Sequence, residues 1–208
     1  LNLNTTGTQN VALGQSAASS TTTGGQNTAV GTNALNSNTT ASNNTALGYQ
    51  AAYSNTTGTE VTAVGKSAMS SNTTGNYNTA VGYQTMLNNT TGSDNTAYGD
   101  ESLRSNTSGG KNTVSGNIAL YANTTGSQNT AFGMQALRYN TTASNNTAVG
   151  YQSAYSNTTG YSNVSFGFKA GISTTVGFEN VYLGTSAGRL NASGDRNTII
   201  GNNAGYNS

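Results

Sequence analysis

A glycine returns every 17 residues in this chain, at Gly14, Gly31, Gly48, Gly65, Gly82, Gly99, Gly116, Gly133, Gly150, Gly167, Gly184 and Gly201. The twelve copies follow one another without an insertion or deletion. A fixed period this short is the signature of a solenoid, in which each unit contacts only its neighbours and a single inserted residue shifts every row. Helical repeats need more than about 30 residues to hold two helices, so the period excludes them.

Counting from that glycine, the repeat reads roughly N-T-A-V-G-Y-Q-A-L-x-x-N-T-T-G-x-x. Asn stands four positions before the glycine, as at Asn27, Asn44, Asn78, Asn95, Asn112, Asn129 and Asn146, and Val61 is the one exception. Ala is usual two before it (Ala29, Ala46, Ala80) and a large apolar residue one before it (Val30, Leu47, Tyr98, Phe132). Leu or Met follows four after it, as at Leu35, Met69 and Leu103, and then comes Asn-Thr-Thr-Gly, as at Asn55 to Gly58. Thr, Val, Tyr and Phe favour strands, while Asn and Gly clusters mark turns. The expectation is an all-β parallel β-solenoid, a β-roll of twelve 17-residue coils, each with two or three short strands. At about 4.8 Å per coil the stack is roughly 58 Å long.

Alternation along a strand sets Asn, Ala and Gly on one face and Thr and Val on the other. The small row invites close backbone approach at Gly31, Gly48, Gly65, Gly82, Gly99, Gly116, Gly133 and Gly150. The Asn row predicts a ladder of stacked amides. The Val/Leu/Phe row predicts burial against the Leu/Met row. A strand apolar on both faces points to a filled, flattened coil or to packing on sister chains as a homotrimer. The second glycine, as in Gly58 and Gly75, predicts a positive φ. The whole of 1–208 reads as one array, a segment of a longer protein, with 161–208 diverged: Gly171, Gly188 and Gly205 replace the Leu there.

Seven basic and six acidic residues leave a net charge of +1, with no basic stripe for nucleic acid and no apolar run long enough to span a bilayer. The chain has no His and no Cys. With scattered acids, it is expected to be no enzyme and to hold no cofactor or metal. Asp94, Asp100 and Glu101 sit in neighbouring copies and are the nearest approach to a glycosidase pair.

Three surface candidates remain. Asn38, Asn55, Asn72, Asn89, Asn106, Asn123, Asn140, Asn157 and Asn191 begin Asn-x-Thr/Ser glycosylation patterns. Thr28, Thr45, Thr62, Thr79, Thr96, Thr113, Thr130 and Thr147 form one row, similar to the Thr arrays of ice-binding solenoids. Tyr49, Tyr53, Tyr83, Tyr151 and Tyr155 offer an aromatic strip for sugars or for a seam between chains.

The unit N-T-A-V-G-Y-Q, as at Asn78 to Gln84, resembles the head repeats of trimeric autotransporter adhesins, and the arrays with Asn-Thr-Thr-Gly spacers resemble bacteriophage tail-fibre shafts. The resemblance spans all twelve copies, although the period is longer than in the adhesin heads. It implies a trimeric β-roll serving as the non-enzymatic shaft or body of an extracellular fibre, on a virion or a bacterial surface, with itself and host-surface glycans as partners. The alternatives are a self-associating, glycosylated filament and an ice- or glycan-binding adhesin.

Overall fold

The computed structural model describes residues 1–205, so the last three positions of the array lie outside the described residues. It is an all-β parallel solenoid. Twelve three-residue strands recur every 17 residues, from β1 (Val11–Leu13) and β2 (Thr28–Val30) to β11 (Val181–Leu183) and β12 (Thr198–Ile200). They form one parallel sheet in strict sequence order. Every pairing is in repeat register, Thr28 with Thr45 and Ala29 with Ala46, for example.

Each coil therefore has one strand and not the two or three expected. The other fourteen positions turn. Besides the repeat glycine, three positions per coil hold positive φ, the second and fourth after it and the fifth before it, and all are non-glycine except Gly171, Gly188 and Gly205. Gln84, Met86 and Asp94, at φ 52°, 52° and 60°, are one set. An L-residue held there costs roughly 1–2 kcal/mol, so the coil persists only because its neighbours on both sides over-determine it.

The interior is narrow. Ala from the strand and Leu or Met from the turn fill it, and Ala29, Ala46, Leu35, Met69 and Leu103 are fully buried in one continuous cluster. The Leu/Met row thus packs with the Ala row and not with the Val/Leu/Phe row. The latter points outward: Leu47, Tyr98, Phe132, Phe166 and Leu183 are exposed, and Val30, Val64, Val81 and Val149 are half-buried. A coil this thin has room for one layer of side chains, and the alternation that buries Ala turns its neighbours to solvent.

Two amide ladders run through the interior. In the first, Asn112 Oδ1 accepts the Asn129 backbone N–H at 3.0 Å, and Asn112 Nδ2 donates to the Gly126 carbonyl of the next coil at 3.0 Å. The second is built from Asn-Thr-Thr-Gly: Asn123 Nδ2 donates to Asn106 Oδ1 at 2.8 Å and to the same Gly126 carbonyl at 2.9 Å. Where both asparagines donate, the two ladders meet on one oxygen, as at Gly92, Gly109 and Gly126. The first Thr of the segment adds a rung at the edge, Thr107 Oγ1 donating to the Thr124 carbonyl at 3.0 Å, while the second, such as Thr91, faces solvent.

Both glycine rows exist for close approach. The first holds φ between +119° and +144°, and a Cβ on Gly99 would lie 2.8 Å from the Gly116 carbonyl carbon. The second row departs from expectation, because Gly58 is not at positive φ. Its Cβ would instead meet the Gly75 carbonyl oxygen at 2.5 Å. Ala41 and Ala143 occupy that position in two coils, both buried, so a relaxed coil admits a methyl there.

The diverged coils exchange bulk between rows. Tyr182 replaces the strand Ala and is fully buried, in the space that Leu leaves at Gly171 and Gly188. A Cβ on Gly171 would lie 2.7 Å from Tyr182 Cδ2, and one on Gly188 would overlap the same ring. Glycine at φ 58° and 64° also removes the strain that Leu bears there.

Candidate interaction surfaces

The stacked coils project their remaining side chains as rows along the axis, and three groups of rows carry distinct chemistry. The first is the outer strand face. Thr28, Thr45, Thr62, Thr79, Thr96, Thr113, Thr130 and Thr147 form its polar row, exposed or half-buried. The apolar row lies two residues on, and Tyr49, Tyr83, Met134, Tyr151 and Phe168 stand in the row just past the glycine. The Thr row gives way to Val164 and Val181, and Tyr98, Phe132 and Phe166 rise beside it. The face is apolar and uneven along its length, unlike a flat hydroxyl lattice.

The expected tyrosine strip divides in two. Tyr49, Tyr83 and Tyr151 belong to the row beside the strand, whereas Tyr53 and Tyr155 stand in the row five after the glycine. Beside the strand, Lys66 lies 5.7 Å over Tyr83, and Tyr151 stacks on Phe168 at 5.4 Å.

The second group is the edge that holds the second Thr of each segment. Here Thr91, Ser93, Asp94, Ser108, Gly110, Lys111, Ser127 and Gln128 line an open polar depression of about 420 Å³. Gly110 opens it by omitting the side chain that Ser93 and Ser127 have one coil away. Asp94 sits there opposite Lys111, while Glu101 pairs with Arg104 at 3.5 Å. Neither Asp100 nor Glu101 lines the depression with Asp94.

No family model, curated protein or solved structure matches this chain. The surfaces must be read from their own chemistry.

The glycosylation candidates lie inside the coil. Asn38, Asn55, Asn72, Asn89, Asn106, Asn123, Asn140 and Asn157 are buried, and their amide nitrogens donate to the ladder, as Asn72 does to Asn55 Oδ1 at 2.7 Å. A glycan on any of these nitrogens displaces the rung and cannot fit the folded coil. Asn191 is half-buried, with its Oδ1 accepting the Gly194 N–H at 2.8 Å. The sequon pattern is a by-product of ladder chemistry, which uses Asn inside and Thr at the rim.

The third group is the edge five and six residues after the glycine, where Arg104, Tyr121, Arg138 and Tyr155 alternate from coil to coil. Arg104 lies 5.7 Å over Tyr121, and Arg138 lies 5.2 Å over Tyr139 and 5.9 Å over Tyr155. Tyr139 and Tyr155 meet edge to face at 5.0 Å. The hydrogen bond to Tyr139, helped by burial, holds the Tyr155 phenol above its ordinary pKa against the opposing pull of Arg138. Sequence reasoning did not single out Arg104, Arg138 or Tyr139. The signal was the common phase of Arg104 and Arg138 in the 17-residue frame, with Tyr139 one residue on.

Among the described residues no cluster of acidic side chains is placed to hold a metal ion, and no helix is long and apolar enough to cross a membrane.

Proposed function

We propose that this chain is the shaft or body of an extracellular fibre, on a virion or a bacterial surface, that acts by its shape and stiffness and not by catalysis. The observation that carries this reading is the continuity of the stack: one in-register sheet passes through every coil, including the diverged ones, and the first amide ladder continues beside it through Asn163, Asn180 and Asn197. Nearest-neighbour stacking of this kind gives length and protease resistance without a closed globular core.

In the same proposal the chains assemble as a homotrimer through the outer strand face. An apolar row interrupted only at Ser115, about 58 Å long and with its flanking rows roughly 14 Å wide, offers on the order of 800 Å² per chain, the size of a stable interface. Light scattering tests it. Three 21.0 kDa chains give a particle of about 63 kDa, and replacing Val64, Val81 and Val149 together with Lys should leave a folded monomer. A wild-type mass of one chain removes the trimer, and a maximum dimension well short of about 58 Å in small-angle scattering removes the shaft.

A further inference from the structure

Arg104 and Arg138 occupy the same row two coils apart, each with a tyrosine one coil on, yet only one of them is satisfied. Arg104 Nε donates to Gln84 Oε1 at 3.2 Å and lies 3.5 Å from the Glu101 carboxylate, while its Nη1 donates to the Tyr121 hydroxyl at 3.1 Å. For Arg138 the two acceptors are gone. Ile118 stands where Gln84 would, and Gln135 stands where Glu101 would, its Oε1 already taken by Gln152 at 2.6 Å. What remains is a 3.4 Å contact from Nη1 to the Tyr155 hydroxyl, and a buried Nε without a partner. Among the described residues no carboxylate forms an ion pair with it.

Arg138 is half-buried, and a guanidinium that holds one long hydrogen bond and a buried, unpartnered Nε gains from any acceptor that completes its fork. Its planar fork matches a carboxylate, and the adjoining Tyr139 and Tyr155 rings, in edge-to-face contact with each other, suit the C–H face of a pyranose. From this arrangement we propose that Arg138, Tyr139 and Tyr155 form a lateral binding site for a carboxylated saccharide of the hexuronate class. The carboxylate takes the role that Glu101 has at Arg104, and the rings pack on the sugar. The site uses rows other than the strand face, so it stands apart from the shaft and trimer readings.

Calorimetric titration of the whole chain at low ionic strength tests this with three probes: an oligogalacturonate, its neutral methyl ester and inorganic sulfate. The oligogalacturonate should bind most tightly. Arg138→Gln should weaken it by about tenfold or more, and Arg138→Lys, which keeps the charge but loses the fork, by several-fold, whereas Arg104→Gln stays within about twofold of wild type. Thermal melting of each variant confirms that the stack is intact. Sulfate binding as tightly as the oligogalacturonate overturns the saccharide assignment. Equal losses from Arg104→Gln and Arg138→Gln overturn the site, as does the absence of oligogalacturonate binding to the wild type.

Discussion

Val61 shows what one rung is worth. It stands in the first amide ladder, fully buried, and still lends its backbone N–H to Asn44 Oδ1 at 2.9 Å. It has no amide to pass on, so the Asn78 N–H lacks the side-chain acceptor its counterparts have. The Gly75 carbonyl keeps only the Asn72 amide, at 3.0 Å, where the Gly92 carbonyl receives two, from Asn78 and Asn89. Val61→Asn should restore both bonds and raise stability by about 1–2 kcal/mol, read from denaturant midpoints; no gain would show that the ladder is not additive. Thr174 makes the matching break in the second ladder. Its hydroxyl donates to the Asn191 carbonyl at 2.9 Å, and Asn157 Oδ1 is left buried without a donor. Tyr182 shows a different imbalance, a ring that fills space with a hydroxyl that finds no partner of good geometry. Burial raises its pKa above the ordinary 10.0, and the nearby Thr174 hydroxyl offsets only part of this. A phenol whose folded pKa is raised keeps its full contribution below pH 10 and loses it as pH climbs through the folded value. Tyr182→Phe should therefore be neutral or stabilising at pH 7 and should flatten the alkaline fall in melting temperature above pH 10. Tyr182→Ala, which leaves a cavity beside Gly171 and Gly188, should cost about 3–5 kcal/mol.

At the scale of the coil, the first glycine is the tightest constraint. Gly99→Val combines a backbone at φ +119° with a Cβ 2.8 Å from the Gly116 carbonyl carbon, and should cost about 2–4 kcal/mol in thermal or denaturant unfolding. A melt like that of wild type would show that the coils separate freely at this point. The coil is also where sequence and structure part company. Period, parallel register, the first Asn ladder and the close contacts of the first glycine row were legible, because each depends on a residue type that tolerates little else. The single strand per coil was not, because residues as different as Gln84, Glu101 and Lys169 share one positive-φ position and leave no compositional mark. The outward Val/Leu/Phe row was misread for a different reason. Hydrophobicity implies burial, and in so thin a coil Ala and Leu already fill the interior. The sequons and the satisfied Arg104 beside the unsatisfied Arg138 become meaningful only once rows are stacked.

For the whole molecule, exact periodicity predicts that coils can be removed as units. Excising residues 66–82 joins Gly65 to Tyr83 in register, and should keep the fold while shortening the particle by about 4.8 Å in small-angle scattering. Deleting Ser70 alone should disrupt its coil and both neighbours, visible as lost cooperativity in unfolding. If the two deletions behave alike, register is not what holds the stack. The ladders also determine how the molecule meets tension. Their hydrogen bonds lie along the axis, so an axial load is carried by every coil interface in series, and the interface with fewest rungs yields first, at Val61 or Thr174. Each released coil pays out 17 residues, roughly 60 Å of extended chain. The same vacancies that lower equilibrium stability thus act as mechanical fuses, which lengthen the molecule stepwise before any covalent bond bears the strain.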